Sequence, residues 1–226
     1  MNDQRGTETS ERYLGEEGAA YHEIYREIFG LRVESSLRVL NPHLRAGDAI
    51  LDFGCADGSL LAALPNLDKS GIEVNGASRE VAIGRGLTVH ESADSVEDGS
   101  LDVVFSSHVL EHTLRPLDEL AALRPKLRPG GKLILLLPID DWRVQRRWIL
   151  PEHNHHLYTW TPQLLANLLS EAGYEVESMD LLTYALPGRF SGRLHRLLPR
   201  GAFDLVARLT AVIRRRRQLI GVARTP

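Results

Sequence analysis

The 226-residue sequence predicts an α/β fold: a doubly wound, mostly parallel sheet with helices on both faces. Three observations carry that expectation. Short aliphatic runs alternate with helical segments along most of the chain. The runs at 49–51, 103–105 and 133–137 are continuously apolar, as in strands buried on both faces. The first of them ends in an acid and a glycine-rich turn, Ile50-Leu51-Asp52-Phe53-Gly54-Cys55-Ala56-Asp57-Gly58, the form in which such sheets meet a ligand.

In chain order, residues 1–12 are polar and expected to be disordered, and 21–40 is expected to be helical. A helix at 59–64 follows the glycine turn. Ser70-Gly71-Ile72-Glu73-Val74-Asn75 forms a second strand, then come a helix at 77–85 and a third strand at 87–90 that runs into Glu91-Ser92-Ala93-Asp94. The fourth strand, 101–107, leads into His108-Val109-Leu110-Glu111-His112. A helix is expected over 116–128, stopped by Pro129-Gly130-Gly131 before the strand at 133–137. Thr161 and Pro162 supply an N-cap and a first-turn proline for a helix to 172 that Gly173 ends. After a strand at 174–184, a basic, mostly helical insert at about 185–217 precedes a last strand at 218–224.

The glycine turn carries the chemistry. Gly54 and Gly58 lack a Cβ, so the chain can turn with positive φ and bring peptide N–H groups close to a ligand. The helix near Ser59 points its N-terminus at the same place. No Gly-Lys-Ser/Thr follows, which excludes a P-loop, and Ala56 and Ser59 break the dinucleotide pattern G-x-G-x-x-G. Glu73 stands 21 residues after Asp52, the distance at which a second-strand acid receives a ribose hydroxyl pair. A nucleoside-containing ligand is therefore expected.

Composition agrees with one compact domain over 13–226. A single cysteine permits no intramolecular disulfide, the N-terminal segment has no apolar stretch, and the longest aliphatic run is strand-sized, so a cytoplasmic protein is expected. Charge is uneven. Residues 185–226 hold ten arginines against Asp204 alone, a formal +9 in a chain of −3, which leaves −12 on the remainder. Phe203, Val206, Leu209, Val212 and Ile213 recur there at near-helical spacing. Such a segment, with Arg214, Arg215, Arg216 and Arg217, suits an anionic membrane surface or a phosphorylated substrate, or else a lid packed on the acidic body. Nucleic acid is disfavoured, since the rest of the surface is acidic and no aromatic–basic strip is present.

The ordered set ILDFGCADGSLL, GIEVN, ESADS, DGSLDVVFSSHVLEH and LRPGGKLILLLP resembles the class I S-adenosylmethionine-dependent methyltransferases over residues 48–184. That resemblance implies a Rossmann-like sheet of seven strands with the last antiparallel, a helix at 21–40 capping the cofactor, and S-adenosylmethionine converted to S-adenosylhomocysteine. It places Asp52 and the backbone of Gly54 at the methionine portion, Glu73 at the ribose and Asp94 at the adenine. Cys55, Ala56, Gly58, Val74, Ser95, Ser107 and His108 are expected around them. Ala56 is expected to keep negative φ, and Cys55 to pack beside the cofactor rather than act as a nucleophile. Partial similarity of residues 50–142 to MetW-like proteins implies a second role, an S-adenosylmethionine-binding accessory protein. A closed or absent acceptor cavity would favour it.

Methyl transfer from a sulfonium needs mainly orientation. A small-molecule, glycan or lipid-linked acceptor is expected, methylated at oxygen. Where a proton acceptor is used, imidazole is the suitable group, and the candidates are His108, His112, His153, His155 and His156. No metal site is expected, because His153-Asn154-His155-His156 has neither helical i, i+4 spacing nor a zinc-ligand pattern.

Overall fold

A computed structural model describes residues 13–65, 67–141, 143, 145–148, 155–185 and 191–226. The segment expected to be disordered, 1–12, lies outside the described residues, as does His153. Seven strands form one sheet: β1 (Ala49–Phe53), β2 (Asp68–Ile72), β3 (Thr88–His90), β4 (Leu101–Ser107), β5 (Leu127–Ile139), β6 (Glu175–Leu182) and β7 (Arg217–Arg224). Their order is β3-β2-β1-β4-β5-β7-β6. The first five strands run parallel, and β7 pairs antiparallel with both β5 and β6. Strand order reverses between β1 and β4, so a crevice opens beyond their carboxyl ends, where sheets of this kind bind ligands.

The helices are α1 (Gly15–Leu40), α2 (Ser59–Ala63), α3 (Gly76–Gly84), α4 (Pro116–Leu123), α5 (Pro162–Glu171), α6 (Ser191–Leu197) and α7 (Arg200–Ile213). Central strands are continuously apolar because each feeds two cores. Leu51, Leu133 and Leu135 pack on one face with Leu120 and Leu165. Ile50, Phe105, Ile134 and Leu136 pack on the other with Leu40 and Leu61. Burying one such side chain contributes about 1.5–3 kcal/mol. Among the described residues no helix is long and apolar enough to cross a membrane.

Local rules account for the ends of several elements. Thr161 accepts a hydrogen bond from Leu164 N–H and Asn75 accepts one from Ser78 N–H, capping α5 and α3. Several boundaries and one helix face differ from expectation, and β2 ends at Ile72, so that Glu73 stands just beyond the strand. Helix α1 begins at Gly15 rather than residue 21, because its first turns dock on the β2–α3 connection through a hydrogen bond from Asn75 Nδ2 to Gly18 O at 2.7 Å. Helix α4 stops at Leu123, since Pro125 has no N–H to continue it, and Pro129-Gly130-Gly131 lies inside β5 beside a bulge against β4. In α7 the buried stripe is Phe203, Ala207 and Ala211, while Leu209, Val212 and Ile213 are exposed. The small alanines allow the close packing, so the larger aliphatics turn outward.

Candidate active site

The turn after β1 is built by three residues with left-handed backbone: Gly54 (φ +82), Ala56 (φ +49) and Gly58 (φ +73). Gly54 N–H and Cys55 N–H both donate to Ile72 O, at 2.8 and 3.0 Å, which ties the turn to β2. A Cβ on Gly54 would run into the Val109 side chain, and one on Gly58 into Leu87. Ala56 corrects the expectation of negative φ. A non-glycine residue in this region costs roughly 1–2 kcal/mol, and here the turn directs Ala56 N–H to Glu73 Oε2 at 2.8 Å.

Glu73 Oε1 accepts a second bond, from Asn75 N–H at 2.8 Å. Burial raises the Glu73 pKa above the ordinary carboxylate value, and the backbone donors of Asn75 and Ala56 oppose the rise. Asp52 is also buried, and burial together with the charge of Glu73 pushes its pKa up to about 8. Asp57 is taken up structurally: it accepts from Ser59 N–H and Oγ–H and pairs with Arg85 at 2.9 Å. Cys55 is buried, and burial beside Asp52 and Glu73 pushes its thiol pKa up, so it is inert packing rather than a nucleophile.

Asp52, Gly54, Cys55, Ala56, Glu73, Val74, Ser107 and His108 line one cavity of about 160 Å³. Gly58 lies outside that lining, where it packs on Leu87 and Ala82. Asp94 and Ser95 are exposed on the turn Ala93–Ser95, whose Ala93 is buried, and also lie outside the lining. Sequence reasoning missed Tyr13, Tyr21, Asn75 and Ser78, which also line it. Tyr13 and Tyr21 stack edge to face at 5.0 Å, and His22 Nδ1 meets Ser78 Oγ at 2.8 Å, holding the start of α1 over the crevice. Neither tyrosine belongs to a motif, so only the fold brings them here.

A second cavity, about 300 Å³, shares Ser36, Ser107 and His108 with the first. Its wall also includes Pro138, Asp140, Asp141, His156, Gln218 and Arg214 through Arg217. His108 has φ +57 and reaches both cavities; its Nε2 lies 3.3 Å from Gln218 Oε1 and its Nδ1 3.5 Å from Glu111 Oε1. His112 Nδ1 lies 2.8 Å from Tyr13 OH and 3.3 Å from His155 O. His155 is otherwise outside both linings. His156 Nδ1 meets Asp140 Oδ2 at 2.7 Å. Glu111, which the sequence did not single out, is completely buried among these rings. Its only sequence signal was its place between His108 and His112.

The basic insert divides its charge. Asp204 pairs with Arg38 at 2.9 Å, and Glu34 meets Arg200 at 3.7 Å and His195 at 3.4 Å, which docks α6 and α7 on α1. Arg214 through Arg217 instead rim the second cavity.

An acid-bound glycine turn at the reversal point of a parallel sheet, with a second cavity adjoining, is the arrangement in which doubly wound α/β folds take up their ligands. Residues 22–179 match the methyltransferase domain family, and the chain belongs to that family, with the fold of the class I S-adenosylmethionine-dependent methyltransferases. Among its relatives, the ubiquinone biosynthesis O-methyltransferase of Roseobacter denitrificans is 29% identical over 157 residues, 60% of this chain and 63% of that protein. The protein of the same description from Xanthomonas euvesicatoria is 30% identical over 173 residues, 66% of this chain and 71% of that one. The chain thus spans a little under two thirds of the first of these relatives. In fold it resembles the Haemonchus contortus phosphoethanolamine N-methyltransferase 2 in complex with S-adenosyl-L-methionine, with TM-score 0.60, 16% identity, and coverage of 85% of this chain and 52% of that one. It also resembles an S-adenosylmethionine-dependent methyltransferase from Archaeoglobus fulgidus, with TM-score 0.64, 18% identity, and coverage of 91% of this chain and all of that one.

Proposed function

We propose that the protein methylates a hydroxyl oxygen of a small anionic acceptor, with S-adenosylmethionine in the first cavity and the acceptor in the second. The observation that carries this reading is the junction: Ser107 and His108 belong to both cavities, and four arginines rim the second. Asp52 and the Gly54 turn face the methionine portion, and Glu73 faces the ribose, keeping lone pairs beyond the two backbone bonds it already accepts. In the step itself the bond between the methyl carbon and the sulfonium sulfur breaks. Its electron pair stays on sulfur as a neutral thioether, a lone pair of the acceptor oxygen forms the new C–O bond, and the hydroxyl proton leaves to solvent through the acceptor cavity. Holding the two reactants in line supplies most of the acceleration.

Oxygen is favoured because the relatives at 29–30% identity are described as O-methyltransferases. An open acceptor cavity is the feature an accessory, non-transferring role would lack. The arginine rim supports a phosphorylated or carboxylated acceptor over a neutral one. The test is methyl transfer from labelled S-adenosylmethionine to a panel of alcohols and phenols, each offered with and without a phosphate or carboxylate. Preference for the charged member of each pair is expected. Equal use of both members would remove the anionic acceptor, and transfer to amines alone would remove oxygen.

A further inference from the structure

The second cavity leaves one feature unexplained. Glu111 lies in the turn Leu110–His112 with its side chain fully buried, and neither carboxylate oxygen accepts a hydrogen bond. A desolvated carboxylate without donors is strongly unfavourable unless a cation meets it. Its neighbours are imidazoles: His108 Nδ1 is nearest, at 3.5 Å, then His112 Nε2 at 3.8 Å and His156 Nε2 at 4.0 Å, none of them seated as a hydrogen-bond donor to it.

The far nitrogens of those rings explain what faces the carboxylate. His156 Nδ1 is 2.7 Å from Asp140 Oδ2, an oxygen that can only accept from it when ionised. His112 Nδ1 lies 3.3 Å from His155 O, likewise an acceptor, with Tyr13 OH at 2.8 Å. Asp140 places the proton of a neutral His156 ring on Nδ1 and its lone pair on Nε2; His112 takes the same tautomer when its Nδ1–H donates to His155 O and Tyr13 OH acts as an acceptor. Three electron-rich atoms, Glu111 Oε1 and two Nε2, therefore converge, all within 4.8 Å of one another. Bonds of about 2.0–2.2 Å in a tetrahedral set hold ligand atoms roughly 3.3–3.6 Å apart, so the carboxylate-to-imidazole separations of 3.8 and 4.0 Å need to close by only about half an ångström. Orientation of each ligating imidazole through its other nitrogen by a carboxylate or carbonyl is the arrangement found behind bound metals.

We propose that Glu111, His112 and His156 bind one divalent transition-metal ion of the zinc class. Two imidazoles and one carboxylate suit Zn²⁺, Fe²⁺ or Co²⁺ better than Mg²⁺ or Ca²⁺, which prefer all-oxygen sets. His112 lines the cofactor cavity and His156 the acceptor cavity, so the ion stands at their junction. Three protein ligands leave positions open for substrate oxygen. The ligand class that fits is an acceptor whose hydroxyl has a second oxygen beside it, able to chelate, and the ion lowers the pKa of the coordinated hydroxyl. That last use rests on the methyl-transfer reading; binding of the ion does not.

The test uses the full chain, stripped with a chelator and titrated with Co²⁺ as an optical probe. One equivalent is expected to bind with visible d–d absorption that Zn²⁺ displaces, and Zn²⁺ should raise the melting temperature. Asp140→Asn should weaken the metal tenfold to a hundredfold while S-adenosylhomocysteine affinity, measured on the same samples, stays unchanged. Glu111→Gln and His156→Ala should each weaken it at least a hundredfold; should Glu111→Gln fail to fold, His156→Ala at the cavity wall gives the same reading. Absence of stoichiometric Co²⁺ in a preparation that binds S-adenosylhomocysteine overturns the site, and so does wild-type metal affinity in His156→Ala. A protein that binds the ion yet methylates no acceptor would retain the metal site and lose the transfer reading.

Discussion

The two cavities meet at Ser107 and His108 but are made in opposite ways. The cofactor side comes mostly from one stretch, residues 52 to 112, in which each strand hands its turn to the next. The acceptor side is collected from the ends of β4, β5 and β7, from residues as far apart as Ser36 and Gln218. Contiguous construction ties the first cavity to the order of the strands themselves. Scattered construction lets the acceptor side change its charge without disturbing that frame.

The first way to break this comparison is to disturb the frame itself. Gly54→Ala forces a side chain into left-handed backbone and against Val109. The backbone strain and overpacking together should cost about 2–4 kcal/mol, read by chemical denaturation, and abolish S-adenosylhomocysteine binding. A variant as stable as the parent would show that the turn is not held as described.

A smaller effect is expected from Glu73→Ala, which removes the acceptor for Ala56 N–H and Asn75 N–H as well as the proposed ribose contact. Loss of charge-assisted bonds of about 1.5–3 kcal/mol corresponds to roughly tenfold to a hundredfold weaker S-adenosylhomocysteine, measurable by calorimetry. An unchanged dissociation constant in a folded variant would take Glu73 out of the site.

On the acceptor side, replacing Arg214, Arg215, Arg216 and Arg217 with glutamine should leave the fold and cofactor affinity intact, since exposed charges contribute at most about 1 kcal/mol each. KM for a charged acceptor should rise severalfold or more, and KM for its neutral analogue should not move. A parallel rise for both would make the rim a lid rather than a selector.

The smallest signal is a proton. With its pKa near 8 in the folded protein and about 3.8 when exposed, Asp52 holds a proton across that window in the native state only. Stability of the ligand-free protein from this group therefore falls as pH rises from about 4 to 8. A cationic amino group placed against Asp52 favours the ionised form, so binding of S-adenosylmethionine at pH 7 should release close to one proton. Calorimetry in buffers of different ionisation enthalpy reads this directly, and zero release would place the amino group elsewhere.

Legibility followed the same division. Asp52, Gly54 and Glu73 could be placed from sequence because strand, turn and acid follow at short, regular spacing. Ala56 could not, since its backbone is set by a carboxylate 17 residues away rather than by its own side chain. Asp94 reads as a motif acid but lies on an exposed turn, where a charged loop gives no local sign of direction. The end of α4 was misplaced because Pro129-Gly130-Gly131 looks like a helix stop while Pro125, four residues earlier, had already removed the needed donor. Glu111, Asp140 and His156 were unreadable as a group. They lie up to 45 residues apart in the sequence, and only the parallel packing of β4 beside β5 brings their loops together.

Strand β7 enters the sheet backwards, with Arg217 opposite Ile139. A parallel strand there would begin at the far rim, and whatever preceded it would be displayed away from the chemistry. Reversal turns the preceding segment into a graft point: any length of chain inserted ahead of β7 is delivered to the mouth of the acceptor cavity. Changes within that one insertion would therefore rewrite the rim of the second cavity and leave the glycine turn across the sheet untouched.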